Sequence, residues 1–105
     1  MKKLLITAAV TGMVLASGVH AADAEKAKAL AQSKNCLACH ATDKKLVGPA
    51  YTEVSKKYKG NKDAEANLIK KVINGGGGVW GTIPMPPNPV KEDEAKLLVE
   101  WILSL

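Results

Sequence analysis

The sequence contains no phenylalanine, and its two tryptophans and two tyrosines bring the aromatic share to only 4%. Small domains usually rely on large aromatic side chains to fill the core. A chain of 105 residues is at most one domain, and chains of this size often need a disulfide, a metal or a bound group for stability. Two cysteines exclude a disulfide-dense scaffold, and the length excludes a multidomain enzyme. The shortage of aromatic side chains therefore raises the question of what fills the core.

The first residues have the features of a secretory signal peptide. Lys2 and Lys3 form a positive start, and the stretch 4–22 that follows is uncharged and largely apolar. Small residues near its end favour cleavage after Ala21, with the bond after Ala22 as the second choice. An uncleaved anchor is the alternative, because the stretch approaches the roughly 17–20 residues that span a bilayer. Its low content of leucine and isoleucine and its cleavage pattern favour removal.

Cleavage of 1–21 leaves a mature domain at 22–105 and predicts a periplasmic protein without stable membrane insertion. Removing 21 of the 105 residues leaves 84 with a net charge of +3, because two lysines leave and no acid does. This charge is too small, and the aromatic side chains are too few, to suggest nucleic-acid binding. The mature domain keeps one histidine, His40, and one methionine, Met85.

Hydrophobic periodicity and helix-end signals predict an all-α domain with four helices. The first covers 24–34 with Asp23 as its N-cap, the second runs from Pro49 as the first helical residue to 60, and the third spans 63–74. The fourth covers 91–105, and its Trp101 is expected to be a core residue. A fifteen-residue segment at 75–89 has no regular pattern, and such long irregular segments are usually functional or disordered.

The segment Cys36-Leu37-Ala38-Cys39-His40 has the Cys-x-x-Cys-His pattern of covalent c-type haem attachment. Two thiols three residues apart lie about one helical turn apart, which lets them add to two vinyl groups on one edge of a porphyrin. The adjacent His40 then supplies the proximal iron ligand. A thioredoxin-like site needs a βαβ context that is missing here, and a zinc site needs a fourth ligand. A plain disulfide leaves His40 unexplained, so the pattern predicts one haem c.

Met85 is the candidate for the second axial ligand of the iron. Haem iron takes histidine, cysteine, methionine or tyrosine from the protein, and histidine with methionine is the cytochrome c arrangement. Met85 is braced by Pro84 on one side and by Pro86 and Pro87 on the other. A methionine that only fills a core gap needs no such bracing. Ligation by a lysine and an open position are the other possibilities.

The sequence resembles the small bacterial class I cytochromes c of the cytochrome c-551 family, whose relatives are also named c-552 or c8. The resemblance implies a class I cytochrome c fold, in which four short helices wrap around one covalently attached haem. Matching segments run through nearly all of the mature chain: Cys36 to His40, Val47-Gly48-Pro49-Ala50-Tyr51, Gly78-Val79-Trp80-Gly81, Ile83-Pro84-Met85-Pro86-Pro87-Asn88 and Trp101-Ile102-Leu103-Ser104.

The resemblance also implies supporting roles around the haem. The Pro49 carbonyl would accept a hydrogen bond from the second ring nitrogen of the histidine ligand, which sets ring orientation and basicity. Trp80 would donate its indole N–H to a haem propionate, and Asn88 would lie beside the methionine sulfur. Lys71 stands where some relatives carry an arginine near the propionates; a lysine keeps the charge without the bidentate geometry. Lys91 replaces the serine or aspartate that opens the last helix in some relatives, so a cap from Asn88 or a shifted start is expected.

A six-coordinate iron leaves no position for a substrate, so the expected function is one-electron transfer rather than enzymatic catalysis. The predicted partners are redox proteins that dock briefly on the exposed haem edge of a monomer, with Lys44 and Lys45 steering the encounter. Lys56, Lys57 and Lys59 are expected to be solvated surface. Family resemblance suggests a donor that oxidises quinol in the membrane and an acceptor such as dissimilatory nitrite reductase or a terminal oxidase. A haem sensor or peroxidase-like enzyme, and a haem-free thiol–disulfide oxidoreductase, are the alternatives.

Overall fold

The computed structural model describes residues 20–105, and within this part of the chain the fold is all-α with no strand. The predicted signal peptide 1–21 therefore lies almost entirely outside the described residues. A short 3-10 turn, Cys36–Ala38, follows the first helix. The four α-helices are α1 (Ala21–Ser33), α2 (Tyr51–Tyr58), α3 (Ala64–Asn74) and α4 (Glu92–Leu103).

Helix α1 begins three residues earlier than the sequence predicted. The alanines at its start are strong helix formers, so the helix extends back to Ala21 and His20 is the extended residue before it. Asp23 consequently lies in the first turn, where it complements the helix dipole, and the prediction that it caps the helix was wrong. Ala27 and Ala31 are fully buried. Their small side chains let α4 pack closely against α1.

Helix α2 begins two residues later than predicted, at Tyr51, so Pro49 is not its first helical residue. The backbone N–H groups of Tyr51 and Thr52 donate to the carbonyls of Ala41 and Thr42, at 3.0 and 2.9 Å. A helix start always leaves such N–H groups without an intrahelical partner. Here the segment that follows the Cys-x-x-Cys-His motif supplies the acceptors, which fixes the start of α2 against that motif.

The start of helix α4 shows how the chain manages without a serine or aspartate cap. Lys91 is the extended residue before the helix, and its backbone N–H donates to the Glu94 carboxylate at 2.9 Å. This is one half of a capping box, since a lysine side chain cannot accept the reciprocal bond. The cap does not come from Asn88, and the helix ends at Leu103 rather than at Leu105.

Helix α4 forms the centre of the core, because it packs against α1, α2 and α3. Its Leu98 and Val99 are almost completely buried, and Trp101 is buried as predicted. Ser55 is a buried polar residue of α2 whose hydroxyl lies 3.1 and 2.8 Å from the carbonyls of Leu103 and Leu105. It therefore ties α2 to the end of the chain.

None of the helices within residues 20–105 combines the length and the apolar character that a membrane crossing requires. Helices α2, α3 and α4 and residues 76–86 of the irregular segment border a cavity on one side of the core.

Candidate cofactor-binding site

The cavity has a volume of about 410 Å³ and a largely apolar wall. This volume lies within the range of about 300–1,000 Å³ that is typical of ligand and cofactor sites. Val47, Val79 and Ile83 line its open side and are at least half exposed, which is unusual for large apolar side chains. The predicted site residues on its wall are Cys36, Cys39, His40, Pro49, Lys71, Trp80 and Met85.

A tight turn presents the Cys-x-x-Cys-His motif to the cavity. Asn35 adopts a left-handed conformation with φ of 61°, which asparagine tolerates better than most residues. The chain therefore changes direction after α1. The 3-10 turn follows, and the His40 backbone N–H donates to the Cys36 carbonyl at 3.0 Å. Cys36 is buried and Cys39 is half-buried, and the two sulfurs form no disulfide. Burial raises the pKa of the Cys36 thiol.

The ring of His40 is held by its chain neighbours. Its Nδ1 lies 2.8 Å from the Pro49 carbonyl oxygen. A carbonyl can only accept, so Nδ1 carries a proton and Nε2 is the ring nitrogen left to bind a metal. Gly48 admits the ring, because a Cβ at this position would come within 2.6 Å of the imidazole Cε1. The segment Gly48-Pro49 therefore supplies both the space and the hydrogen-bond acceptor.

Tyr51 packs directly on this histidine. The two rings are stacked, with centroids 4.9 Å apart and planes 21° apart. Tyr51 also contacts Trp101, whose ring meets it edge-on with centroids 5.5 Å apart and planes at 78°. Burial is the main cause that raises the pKa of Tyr51, with a smaller contribution from the neighbouring Cys36. Tyr51 remains a neutral phenol and connects the Cys-x-x-Cys-His motif to the core.

A two-residue pairing fixes Met85 against the end of α3. Gly76 and Met85 exchange backbone hydrogen bonds of 3.0 and 2.8 Å, although neither belongs to a strand. Gly75 ends α3 with φ of 75°, and its N–H donates to the Lys71 carbonyl at 2.8 Å. The segment 83–88, which we call the methionine strap, therefore lies in backbone contact with the glycine run. This contact places Met85 on the cavity wall.

Asn88 is not on the cavity wall. Its side-chain amide nitrogen donates to the Val72 carbonyl at 2.9 Å and to the Pro86 carbonyl at 3.2 Å, and its backbone N–H also reaches Val72, at 3.2 Å. Both amide protons are therefore used by the main chain. In this structure Asn88 ties the methionine strap to α3, and its predicted effect on the Met85 sulfur stays a prediction.

Trp80 and Lys71 lie on the cavity wall near the glycine run, and Lys57 contacts Trp80 from outside the wall. The Lys57 ammonium lies 5.6 Å from the centre of the Trp80 ring and 5.9 Å from that of Tyr58, within the range of cation–π attraction. Lys57 is exposed, as predicted, and the contact with Trp80 is a feature that the sequence did not predict. Lys71 is half-buried on the cavity wall, and its side chain packs against Gly76.

The sequence reasoning missed three features of this site: the clearance that Gly48 gives the histidine ring, the Gly76–Met85 pairing and the Lys57–Trp80 contact. The first two involve glycines, and glycine is the residue that allows close backbone approach, so the Gly48-Pro49 and Gly75-Gly76 dipeptides were the available signals. Lys57 carries no such signal, because its partner is 23 positions away in the sequence.

Comparison with known proteins finds relatives along the whole chain. The family model for cytochrome c matches residues 24–105. Cytochrome c-551 of Stutzerimonas stutzeri is 51% identical over 105 residues, which cover 100% of this chain and 99% of that protein. Cytochrome c-551 of Pseudomonas aeruginosa is 50% identical over 100 residues, covering 95% of this chain and 93% of that protein. The crystal structure of Nitrosomonas europaea cytochrome c552 superimposes with a TM-score of 0.72 at 47% identity, covering 74% of this chain and 98% of that one.

The chain belongs to the cytochrome c family, and its fold is that of a class I cytochrome c, as the sequence predicted. It is a small electron carrier rather than an enzyme, and its cofactor is one covalent haem c.

The residues of the cavity fit this cofactor. The wall brings together two cysteine sulfurs, an imidazole with a free ring nitrogen and a thioether, which are the groups that c-type haem takes from a protein. Within residues 20–105, no three His, Cys, Asp or Glu side chains cluster in a way that would hold a bare metal ion.

Proposed function

We propose that this chain is an exported one-electron carrier whose haem is attached through Cys36 and Cys39 and whose iron is ligated by His40 and Met85. The observation that carries the proposal is that both candidate ligands lie on one cavity wall and are held there by hydrogen bonds. His40 donates through Nδ1 to Pro49, so that Nε2 is the ring nitrogen left for the iron, while a pair of backbone hydrogen bonds holds Met85 in place.

Each of these residues has a defined task. The Pro49 carbonyl keeps the His40 ring in one tautomer and raises its basicity, as acceptors behind a ligating imidazole generally do. The glycine run and the methionine strap hold the Met85 backbone beside the cavity, so that its thioether is available at the wall. When bound, haem c supplies a one-electron Fe(III)/Fe(II) couple, and a thioether ligand together with burial favours a positive potential.

The residues around this site would bind and orient the rest of the cofactor. Trp80 would donate its indole N–H to a haem propionate, and the Lys71 ammonium would balance the charge of the propionates. Asn88 would act on Met85 through the strap, since its amide fixes Pro86 to the end of α3.

Partner proteins would dock on the open side of the cavity. Val47, Val79 and Ile83 offer an exposed apolar contact there, and Lys44 and Lys45 are exposed in the preceding loop. Such a surface suits a small and short-lived redox encounter that charges accelerate more than they tighten. We propose a quinol-oxidising membrane complex as the donor, and a periplasmic reductase, such as dissimilatory nitrite reductase, or a terminal oxidase as the acceptor. The carrier itself would act as a monomer.

Replacing the thioether tests the ligand assignment. Met85→Ala should lower the reduction potential by on the order of 0.1 V or more, because axial ligands move haem potentials over about 0.8 V. It should also let carbon monoxide bind rapidly to the reduced protein at neutral pH. Val90→Ala is the matched control, since Val90 follows the strap and packs on the core but is not on the cavity wall. An unchanged optical spectrum and an unchanged reduction potential in Met85→Ala would refute the assignment of Met85 as an iron ligand.

The same measurements on the parent protein separate the alternatives. Rapid carbon monoxide binding to the parent would favour a haem sensor or peroxidase-like enzyme, in which Met85 is off the iron. Cell fractionation tests export: the red protein should appear in the periplasm with a mature N-terminus at Ala22 or Asp23. Recovery of the full-length chain in the membrane fraction would instead show that residues 1–21 act as an anchor.

A further inference from the structure

We infer that Tyr51 is a positioning residue for His40: its ring fixes the plane of the imidazole, and α4 fixes Tyr51 through Trp101. The inference rests on the proposed function, because it matters only if His40 ligates the iron. It assigns a task to a residue that neither binds a metal nor reacts.

One hydrogen bond is not enough to fix the orientation of a ring. The contact from Nδ1 to the Pro49 carbonyl, at 2.8 Å, and the covalent bond to Cβ hold two points of the imidazole, and the ring can still tilt about the line between them. The close approach of Gly48 limits the space around the ring. A flat partner in contact with the ring face is what restricts the remaining rotation. Tyr51 is that partner, at a centroid separation of 4.9 Å and an interplanar angle of 21°.

Tyr51 is itself well fixed. It is 4% exposed and is the first residue of α2, where its backbone N–H donates to the Ala41 carbonyl at 3.0 Å. On α4, the ring of Trp101 is 3% exposed and meets Tyr51 edge-on at 5.5 Å. Stacked and edge-on aromatic pairs at such distances attract each other beyond simple burial. The orientation of the His40 ring is thus set by packing on α4, which is distant in sequence from the Cys-x-x-Cys-His motif.

The consequence concerns the ligand itself. Groups that contact a ligating imidazole hold its orientation and tune its strength as a donor. If the ring rocks, the hydrogen bond from Nδ1 to Pro49 opens more often, and the Nδ1 proton exchanges with solvent more rapidly. Exchange of this one proton therefore reports the contact with Tyr51 directly.

The test compares two substitutions in the reduced holoprotein by NMR. Tyr51→Leu removes the aromatic face and keeps an apolar side chain, while Tyr51→Phe keeps the face and removes the hydroxyl. The loss of an aromatic pair corresponds to a factor of about 2 to 10 in an equilibrium. We expect Tyr51→Leu to accelerate exchange of the His40 Nδ1 proton by that factor, and Tyr51→Phe to stay within about twofold of the parent.

An internal reference separates positioning from loss of stability. The backbone N–H of Leu98 lies in the most buried part of α4 and reports global unfolding. Tyr58→Leu is the matched control, because it removes the other tyrosine of α2, for which no stacking on His40 is seen. In Tyr51→Leu, exchange of the His40 Nδ1 proton should accelerate by a larger factor than exchange of the Leu98 N–H proton. In Tyr58→Leu it should not.

Equal acceleration of the His40 and Leu98 protons in Tyr51→Leu would overturn the inference, because Tyr51 would then serve stability alone. Exchange of the His40 Nδ1 proton that is well over twofold faster in Tyr51→Phe than in the parent would also overturn the inference. This second criterion applies even if Tyr51→Leu does not form the holoprotein. Failure of the proposed function looks different. In that case the His40 ring protons of the parent protein would lack the large shifts that a ring bound to haem iron shows.

Discussion

Replacing Gly75 by alanine tests how the fold holds the methionine strap. Gly75 combines φ of 75° with ψ of −176°, a region that essentially only glycine occupies. A Cβ on this residue would also come 2.5 Å from the Met85 carbonyl oxygen, 2.8 Å from the Pro87 nitrogen and 2.9 Å from the Pro86 carbonyl carbon. All three are backbone atoms, so no side-chain rotation can relieve the contacts. Gly75→Ala must therefore displace the strap.

The expected loss of stability follows from these contacts. Backbone strain at such a position costs about 1–3 kcal/mol. Displacing the strap also breaks the two hydrogen bonds between Gly76 and Met85, which at about 0.5–1.5 kcal/mol each add about 1–3 kcal/mol. We therefore expect Gly75→Ala to lower the free energy of unfolding by about 2–6 kcal/mol.

Gly60→Ala provides the matched control. Gly60 also has a positive φ, of 79°, but a Cβ there would meet no atom within 4 Å. Its replacement should cost only the backbone term of about 1–2 kcal/mol. Guanidinium unfolding of both variants, followed by circular dichroism, measures the difference, and the optical signature of the iron–sulfur bond reports Met85 ligation. Equal destabilisation of the two variants with Met85 ligation intact would refute the reasoning.

Two further predictions concern α4. Ser55→Ala removes the hydroxyl that donates to the carbonyls of Leu103 and Leu105. The free energy of unfolding should fall by about 1–2 kcal/mol, measured as a lower denaturation midpoint. An unchanged midpoint would contradict this prediction. Burial, followed by a hydrogen bond and repulsion from Glu65, raises the pKa of Glu100, so the folded state binds this proton more tightly than the unfolded chain. That stabilisation is present at low pH and is lost as the pH rises through the raised pKa. Glu100→Gln should therefore stabilise the protein at pH 7 and lose this advantage in acid; a difference independent of pH would exclude this cause.

The sequence predicted the four helices but misplaced most of their ends. Apolar periodicity located α1 to α4 because each buries one face against the core. The ends depend on where the first backbone N–H groups find acceptors. Pro49 is a favourable first helical residue in isolation, yet α2 begins at Tyr51, since Ala41 supplies the acceptor and the Pro49 carbonyl contacts His40. Those acceptors come from another segment, and local sequence rules do not include them.

In the candidate site, too, local patterns could be predicted from the sequence and contacts between distant segments could not. The Cys-x-x-Cys-His motif and the proline-braced Met85 are local patterns, and both can be read directly from the chain. Asn88 illustrates the limit. The resemblance predicts a place beside the methionine sulfur, which stays a prediction, and the structure adds that the amide protons go to the carbonyls of Val72 and Pro86. Which carbonyl an asparagine reaches depends on the packing of α3 against the strap.

The shortage of aromatic residues was informative from the start, because a chain without phenylalanine needs another large apolar body in its core. By itself the sequence determined the type of cofactor, since the attachment motif fits within five consecutive residues. Only the tertiary structure decided how the groups around that motif are oriented. Tyr51 reaches His40 from α2 and is backed by Trp101 from α4, and Gly76 pairs with Met85 across a loop. The physical reason is that reactive groups are specified by local covalent order, whereas ring planes and strap positions are set by packing between distant segments.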